Sequence, residues 1–422
     1  MNKELFRFIK NSPTAYHAVN EAEKMLGEAG YIRLCEHEKW ELHEGRGYYT
    51  TRNGSSLIAF KIPEGGHAPF MLTASHSDSP AFKVKTEPLL KGEYYSRLSC
   101  EKYGGMLCAP WLDRPLGVAG RLTVREKDGF SVRLADSREP CALIPNVAIH
   151  MNRKANEGVP LNPAVDMLPL FGGDKADFWK YIAEKAGVDK KDICSADLFL
   201  YNCDSGVEWN GFISAPRLDD LQCAFAALKA FTEAEVKERT AVYCLFDNEE
   251  VGSETKQGAA STFLYDTLSR ICEALHGDMR QALAQSFLVS CDNAHAQHPN
   301  HLELSDKSHA PRLNGGVVIK YNANQRYTTD AVSDGIFRLI CEKAGVPVQS
   351  YANRADIPGG STLGSISDTR VSVATVDIGA PQLAMHSSFE TSGGEDTCYL
   401  YKSLKAFYES AVCAVDGGYR VK

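Results

Sequence analysis

Five short stretches of the chain set histidine or carboxylate side chains at the end of an apolar run or at the start of an amphipathic one. They are "TASHSDSP" (His76, Asp78), "PRLDDL" (Asp219, Asp220), "FDNEEVGS" (Glu249, Glu250), "SCDNAHAQHPN" (Asp292, His295, His298) and "LAMHSSFE" (His386, Glu390). Each alone has an ordinary explanation. A His-x-Asp is usually a turn, and adjacent acids suit the first turn of a helix, where the macrodipole favours negative charge. Paired glutamates are common on solvated helix faces, and a His-rich stretch can be a plain loop. Together they differ, because all five fall at element ends beside apolar segments. Asp247, Glu249 and Glu250 crowd the end of the apolar run 241–247, and buried carboxylates without a positive partner are costly. Something positive is therefore expected among them, with arginine, water and metal as the choices. Carboxylates mixed with imidazoles suit zinc, manganese or cobalt better than calcium or magnesium.

The elements that must position these stretches follow from the apolar pattern. Ser12-Pro13 reads as an N-cap with proline at the first helical position, and Gly30 as the close of that helix. Residues 56–62 and 70–76 read as strands joined by the turn "PEGGHA" (63–68). Between about residues 89 and 212 the texture changes to short β-like runs with one helix over 175–187. From residue 216 onward, apolar strands ("TAVYCLFD", "SFLVSCD", "GGVVIKY", "VPVQSYA", "RVSVATVDIG") alternate with amphipathic helices. That alternation predicts an α/β fold with a mostly parallel, mixed sheet sandwiched by helices. In such sheets the strand carboxyl ends gather at one edge, where ligands bind. The expected division is a discontinuous catalytic domain, 1–88 and 213–422, interrupted by a β-rich insertion, 89–212.

Composition narrows the class. The 422 residues carry a net charge of -8 and are 44% hydrophobic, which fits a globular protein and argues against a nucleic-acid partner. The first residues lack the apolar centre of a signal peptide, and no run approaches the roughly 18 residues of a membrane span. The 13 cysteines are scattered without a CxxC, so neither a cysteine zinc site nor a disulfide framework is expected, and a reduced, cytoplasmic setting is. No GxSxG nucleophile elbow and no GxxxxGK[ST] phosphate loop occur. The glycines of "PGGSTLG" (358–364) suit either a close backbone approach to a ligand or a structural turn.

The motifs "SPTAYHAV", "ASHSDSP", "PRLDDL", "DNEEVGS", "CDNAHAQHPN", "KYNANQRYTTD", "DIPGGSTLG" and "AMHSSFE" occur here in one order between residues 12 and 410. In that order the chain resembles the aspartyl aminopeptidase family of two-zinc metallopeptidases. Ser77, Asn248 and the "SSF" after His386 depart from the commoner family residues without replacing a chemical group. The resemblance implies a zinc exopeptidase-like fold with an inserted dimerisation domain. It implies two divalent ions, zinc first with cobalt or manganese as alternatives. Asp219 would bridge them, with His76 and Asp292 on one ion and Glu250 and His386 on the other.

By the same resemblance Glu249 is the general base, and Asp78 orients His76 unless it is a plain turn cap. His150 reaches a neighbouring subunit's site, the alternative being a buried strand histidine. His295, Lys320 and Tyr327 hold the substrate, with Arg326 beside them. The implied substrates are short peptides with a free N-terminus, preferentially Asp or Glu. Neutral or basic preference, or a two-metal deacylase or other amidohydrolase, are the alternatives, and a non-catalytic binding protein is a third class. The implied assembly is a homo-oligomer, a dodecamer built from dimers.

Overall fold

In the computed structural model, which describes residues 1–65 and 69–422, the apolar runs form the strands that carry the site. Among the described residues nine strands make the main sheet, in the order Ile32–Arg33, Gly47–Arg52, Ser56–Lys61, Thr240–Phe246, Phe70–His76, Phe287–Cys291, Ala374–Gly379, Val317–Tyr321 and Val348–Ala352. Thr240–Phe246, Phe70–His76, Phe287–Cys291 and Ala374–Gly379 run parallel to one another. Ser56–Lys61 joins one side antiparallel and Val317–Tyr321 the other, so the sheet is mixed as expected.

Alternation explains why both faces are apolar. In Thr240–Phe246, Ala241, Tyr243 and Leu245 enter the core beneath one helix layer, while Val242, Cys244 and Phe246 enter the core beneath the other. Successive strand side chains point to opposite faces, so a strand covered on both sides reads as a continuous apolar run. The first layer includes the helices Asn2–Asn11, Ala15–Glu28, Leu218–Glu233, Ala331–Lys343 and Asp396–Glu409, and the second includes Phe263–Ala274.

A six-stranded antiparallel sheet, built from Gly129–Asp136, Leu116–Glu126, Ile193–Asn202, Ala81–Lys91, Tyr95–Tyr103 and Leu170–Gly173, has its own core around Phe82, Trp111 and Phe178. The helix Phe178–Ala186 packs there, with Asp177 capping it through the Lys180 amide. The divisions read at 89 and 212 fall inside the strand Ala81–Lys91 and at the start of Phe212–Ala215. Phe212–Ala215 itself pairs with Glu390–Gly393, next to His386.

The N-terminal expectation needs correction. The helix begins at Ala15 with Thr14 at the N-cap, while Ser12 terminates a separate helix, Asn2–Asn11, that the proline signal had hidden. Gly30, at φ +81°, does follow the second helix. The turn over 63–68 lies partly outside the described residues. Among the described residues every cysteine is a free thiol, and no helix is long and apolar enough to cross a membrane.

Candidate metal centre

The expected ligands gather at the carboxyl ends of the parallel strands and in the loops beside them. His76 is the last residue of Phe70–His76, Asp292 follows Phe287–Cys291, and Asp219 and Asp220 open the helix Leu218–Glu233. After Thr240–Phe246 the chain turns through Asn248 at φ +65°, a left-handed conformation that asparagine tolerates better than most residues. A short 3-10 turn then presents Glu249 and Glu250. His386, itself at φ +65°, sits in the loop before Glu390–Gly393.

These side chains converge. His76 Nε2 lies 3.3 Å from Asp219 Oδ1, and His386 Nε2 lies 3.3 Å from Asp219 Oδ2 and 3.5 Å from Glu250 Oε2. Ligand atoms of His76, Asp219, Asp220 and Asp292 all fall within 4.8 Å of one another, as do those of Asp219, Glu250 and His386, and those of His76, Glu249 and Glu250. Asp219 belongs to two of these groups. Asp219 Oδ1, Asp220 Oδ1 and Glu250 Oε1 are buried without a hydrogen-bond partner. Buried carboxylate oxygens that lack donors are what cations satisfy, so the residues present fit divalent ions.

Both imidazoles are aimed. A carbonyl oxygen can only accept, so His76 Nδ1 donates to the Asp78 carbonyl at 3.0 Å and His386 Nδ1 donates to the Gly105 carbonyl. Each Nε2 thereby faces the carboxylates and is the atom that would offer its lone pair to a metal, the usual arrangement behind a metal-binding histidine. Asp78 acts in a second way that its sequence context hid. Its carboxylate accepts the amides of Glu249 and Glu250, 3.2 Å each, and so fixes the turn carrying both glutamates.

The electrostatics follow from crowding. Burial first, then the charges of Asp292, Asp78 and Asp219, push Glu249 up to about 8 against the pull of His76. Burial and Asp219 raise Glu250 well above the usual carboxylate range. Burial lowers both histidines, but hydrogen bonding and charge from the surrounding carboxylates outweigh it, lifting His76 and taking His386 to about 10. For Asp219 burial is likewise outweighed, by His386 and His76, and its carboxyl is held below the ordinary range.

A cavity of about 180 Å³ opens beside the cluster, lined among others by Asp219, Glu249, Asp292, His295, Lys320, Tyr327, Gly360, Thr362 and His386. Three of the expected substrate residues therefore face it together. Lys320 is buried, donating to the carbonyls of Asp292 at 2.7 Å and Asn293 at 3.4 Å, with its Nζ 3.5 Å from Asp292 Oδ2. Burial lowers its pKa, but Asp292 outweighs this and keeps it cationic. Arg326 and His298 are exposed and do not line the cavity. His150 stands apart on an exposed turn between the strands Gly129–Asp136 and Leu170–Gly173, so the alternative of a buried strand histidine is excluded. A larger cavity, about 450 Å³, borders Asp78 and Asp219 but not Glu249 or His386.

Glu390 and Asp220 were named among the five stretches, but what they hold escaped the sequence reading. Glu390 Oε2 accepts the Asp219 amide at 3.0 Å and Oε1 the His386 amide at 2.7 Å, tying the backbones of two expected ligands together. Asp220 Oδ2 accepts the His76 amide at 3.1 Å. Spacing within "HSSFE" was the one available signal for Glu390.

An α/β fold that converges two imidazoles and several buried carboxylates at one edge of its sheet, beside a small cavity, has the design of a metal-dependent hydrolase. The model of the aminopeptidase I zinc metalloprotease (M18) family matches residues 8–408, and the chain belongs to that family. It is a metallo-aminopeptidase. A probable M18 family aminopeptidase 2 of Clostridium novyi is 44% identical over 423 residues, 96% of this chain and 98% of that protein. Among solved structures, mApe1 of Chaetomium thermophilum superposes with a TM-score of 0.87 at 31% identity, covering 96% of each chain. The mApe1 dodecamer of yeast gives 0.85 at 27% identity with the same coverage.

Proposed function

We propose that this aminopeptidase uses two divalent ions, zinc first, to remove the N-terminal residue of short peptides, preferring aspartate or glutamate. The observation that carries the two-ion reading is the sharing of Asp219 between the group holding His76 and Asp292 and the group holding Glu250 and His386. When bound, the ions would acidify the attacking water and polarise the scissile carbonyl. The chain's own residues do the rest. Glu249 takes a proton from the water as its oxygen bonds to the carbonyl carbon, and returns that proton to the amine as the C–N bond breaks. A free amino acid and a shortened peptide result. The cavity of about 180 Å³ falls below the roughly 300–1,000 Å³ of common ligand pockets, which suits one residue at a time.

The acidic preference rests on Lys320, a buried ammonium on the cavity wall with His295 and Tyr327 beside it. A desolvated substrate carboxylate needs such a cation. One observation favours a second reading: Lys320 already pairs with Asp292, and if it serves only to hold that ligand, neutral N-terminal residues are preferred. A panel of aminoacyl substrates decides between them. With acidic selection, Lys320→Ala loses Asp and Glu substrates by at least about tenfold more than Leu, roughly 1.4 kcal/mol of discrimination. Leucine or lysine substrates winning with the unmodified protein would remove the acidic pocket and leave the two-ion chemistry standing.

The third part of the proposal is assembly. The β-rich insertion dimerises, dimers build a dodecamer, and His150 completes a neighbour's site. Its exposed turn and the likeness to the yeast dodecamer support this. Co-expressing His150→Ala with Glu249→Gln, each inactive or nearly so alone, then restores turnover, because mixed assemblies contain sites with one intact copy of each residue. Mixed assemblies as inactive as their parents would refute the shared site.

A further inference from the structure

Three consecutive residues of the insertion reach the proposed metal centre. Tyr103, the last residue of Tyr95–Tyr103, donates its hydroxyl to Asp78 Oδ2 at 2.7 Å and accepts Asn248 Nδ2 at 2.8 Å. One phenol thus grips the carboxylate that holds the Glu249 and Glu250 amides, and also the residue that starts their turn. Gly104, at φ +78°, packs on Glu250: a Cβ there would lie 3.1 Å from Glu250 Cβ and 3.3 Å from its carbonyl oxygen. The left-handed backbone favours glycine, and a Cβ would press on Glu250 by a few tenths of an ångström. The Gly105 carbonyl receives His386 Nδ1, fixing that ring.

We propose that Tyr103-Gly104-Gly105 is a positioning latch through which the insertion sets the cation affinity of the catalytic domain. This rests on the ligand assignment above. Tyr103 is a positioning residue for the turn bearing Glu249 and Glu250. Gly104 and Gly105 position Glu250 and His386, which lie on one side of Asp219. Without the Tyr103 hydroxyl, Asp78 keeps two backbone donors but loses its side-chain donor, and Asn248 loses an acceptor. The glutamate turn loosens while the core is untouched, since Tyr103 is only half-buried. Losing a contact behind a ligand costs about 10–100-fold in metal affinity.

The test titrates metal-free full-length protein with zinc against a chromophoric chelator, records the visible spectrum of the cobalt form, and follows thermal melting of the metal-free form. Wild type takes up two ions. Tyr103→Phe is expected to bind zinc about 10–100-fold more weakly, with an altered cobalt spectrum and an unchanged metal-free melting temperature. Gly104→Ala weakens one ion selectively; if it fails to fold, Tyr103→Phe alone decides. Two ions bound with wild-type affinity and spectrum in Tyr103→Phe overturn the latch alone. A loss of affinity matched by a fall in metal-free melting temperature makes Tyr103 merely structural and overturns it too. Wild type that binds no ion overturns the ligand assignment, and the latch with it.

Discussion

Glu249→Gln is expected to keep two metal ions and to lose about 10²–10⁴ in kcat, the usual worth of a positioned general base. The amide is nearly isosteric, and the backbone of residue 249 stays anchored because its N–H donates to Asp78. Only the capacity to take and return a proton is removed. The neighbouring substitution behaves differently. Glu250 Oε2 faces His386 Nε2 at 3.5 Å, and Oε1 is buried without a partner. Glu250→Gln therefore removes a negative ligand and lowers the occupancy of one ion. Metal content by inductively coupled plasma mass spectrometry, paired with kcat, distinguishes the two. If Glu249→Gln loses an ion while Glu250→Gln stays loaded and inactive, the roles are reversed.

The difference between these glutamates shows what could be read from the chain before its fold was known. Phe70–His76, Thr240–Phe246 and Phe287–Cys291 were legible because both faces of each strand are buried, which favours a mainly apolar run, interrupted inside these strands only by the small hydroxyls Thr73, Ser75 and Ser290. Their ends were legible because charge stops such a run abruptly. The ligand cluster was legible in its parts, and the resemblance supplied the assignment of roles. What stayed hidden acts over long separations or through backbone. Gly105 meets His386 across 281 residues with a carbonyl group that any residue possesses. Glu390 meets Asp219 across 171 residues, also through a backbone amide. Asp78 was expected to orient His76, and its Oδ1 lies 3.4 Å from His76 Nδ1, but the same carboxylate also accepts two amides that no side-chain pattern records. At the N-terminus a local rule misled: Ser12-Pro13 has the form of a helix start, yet tertiary packing puts a helix on both sides of it.

Removing the metal is expected to abolish peptidase activity completely and to destabilise the protein in a pH-dependent way. Dialysis against a strong chelator leaves buried carboxylates facing one another, and zinc, cobalt or manganese restores turnover. An ion at about 1,000 times its Kd stabilises the fold by about 4 kcal/mol, so melting temperature falls on its removal. The pH dependence has a definite sign. In the metal-free protein Glu249 is raised from 4.5 to about 8 and His386 from 6.5 to about 10. A group raised in the folded state contributes stability that is fully present below its unfolded value and is lost as pH climbs through its folded value. The contribution of these two groups to metal-free stability therefore declines from about pH 5 to pH 10. Asp219, depressed from 3.8, contributes throughout that window and does not offset the decline. In the loaded protein the same carboxylates stay ionised against the cations, and binding releases the protons they had held, so affinity grows with pH. The melting-temperature gap between loaded and metal-free protein should be wider at pH 9 than at pH 6. A gap that narrows would refute the repulsion account of this cluster, and full activity in verified metal-free protein would refute the metal reading itself.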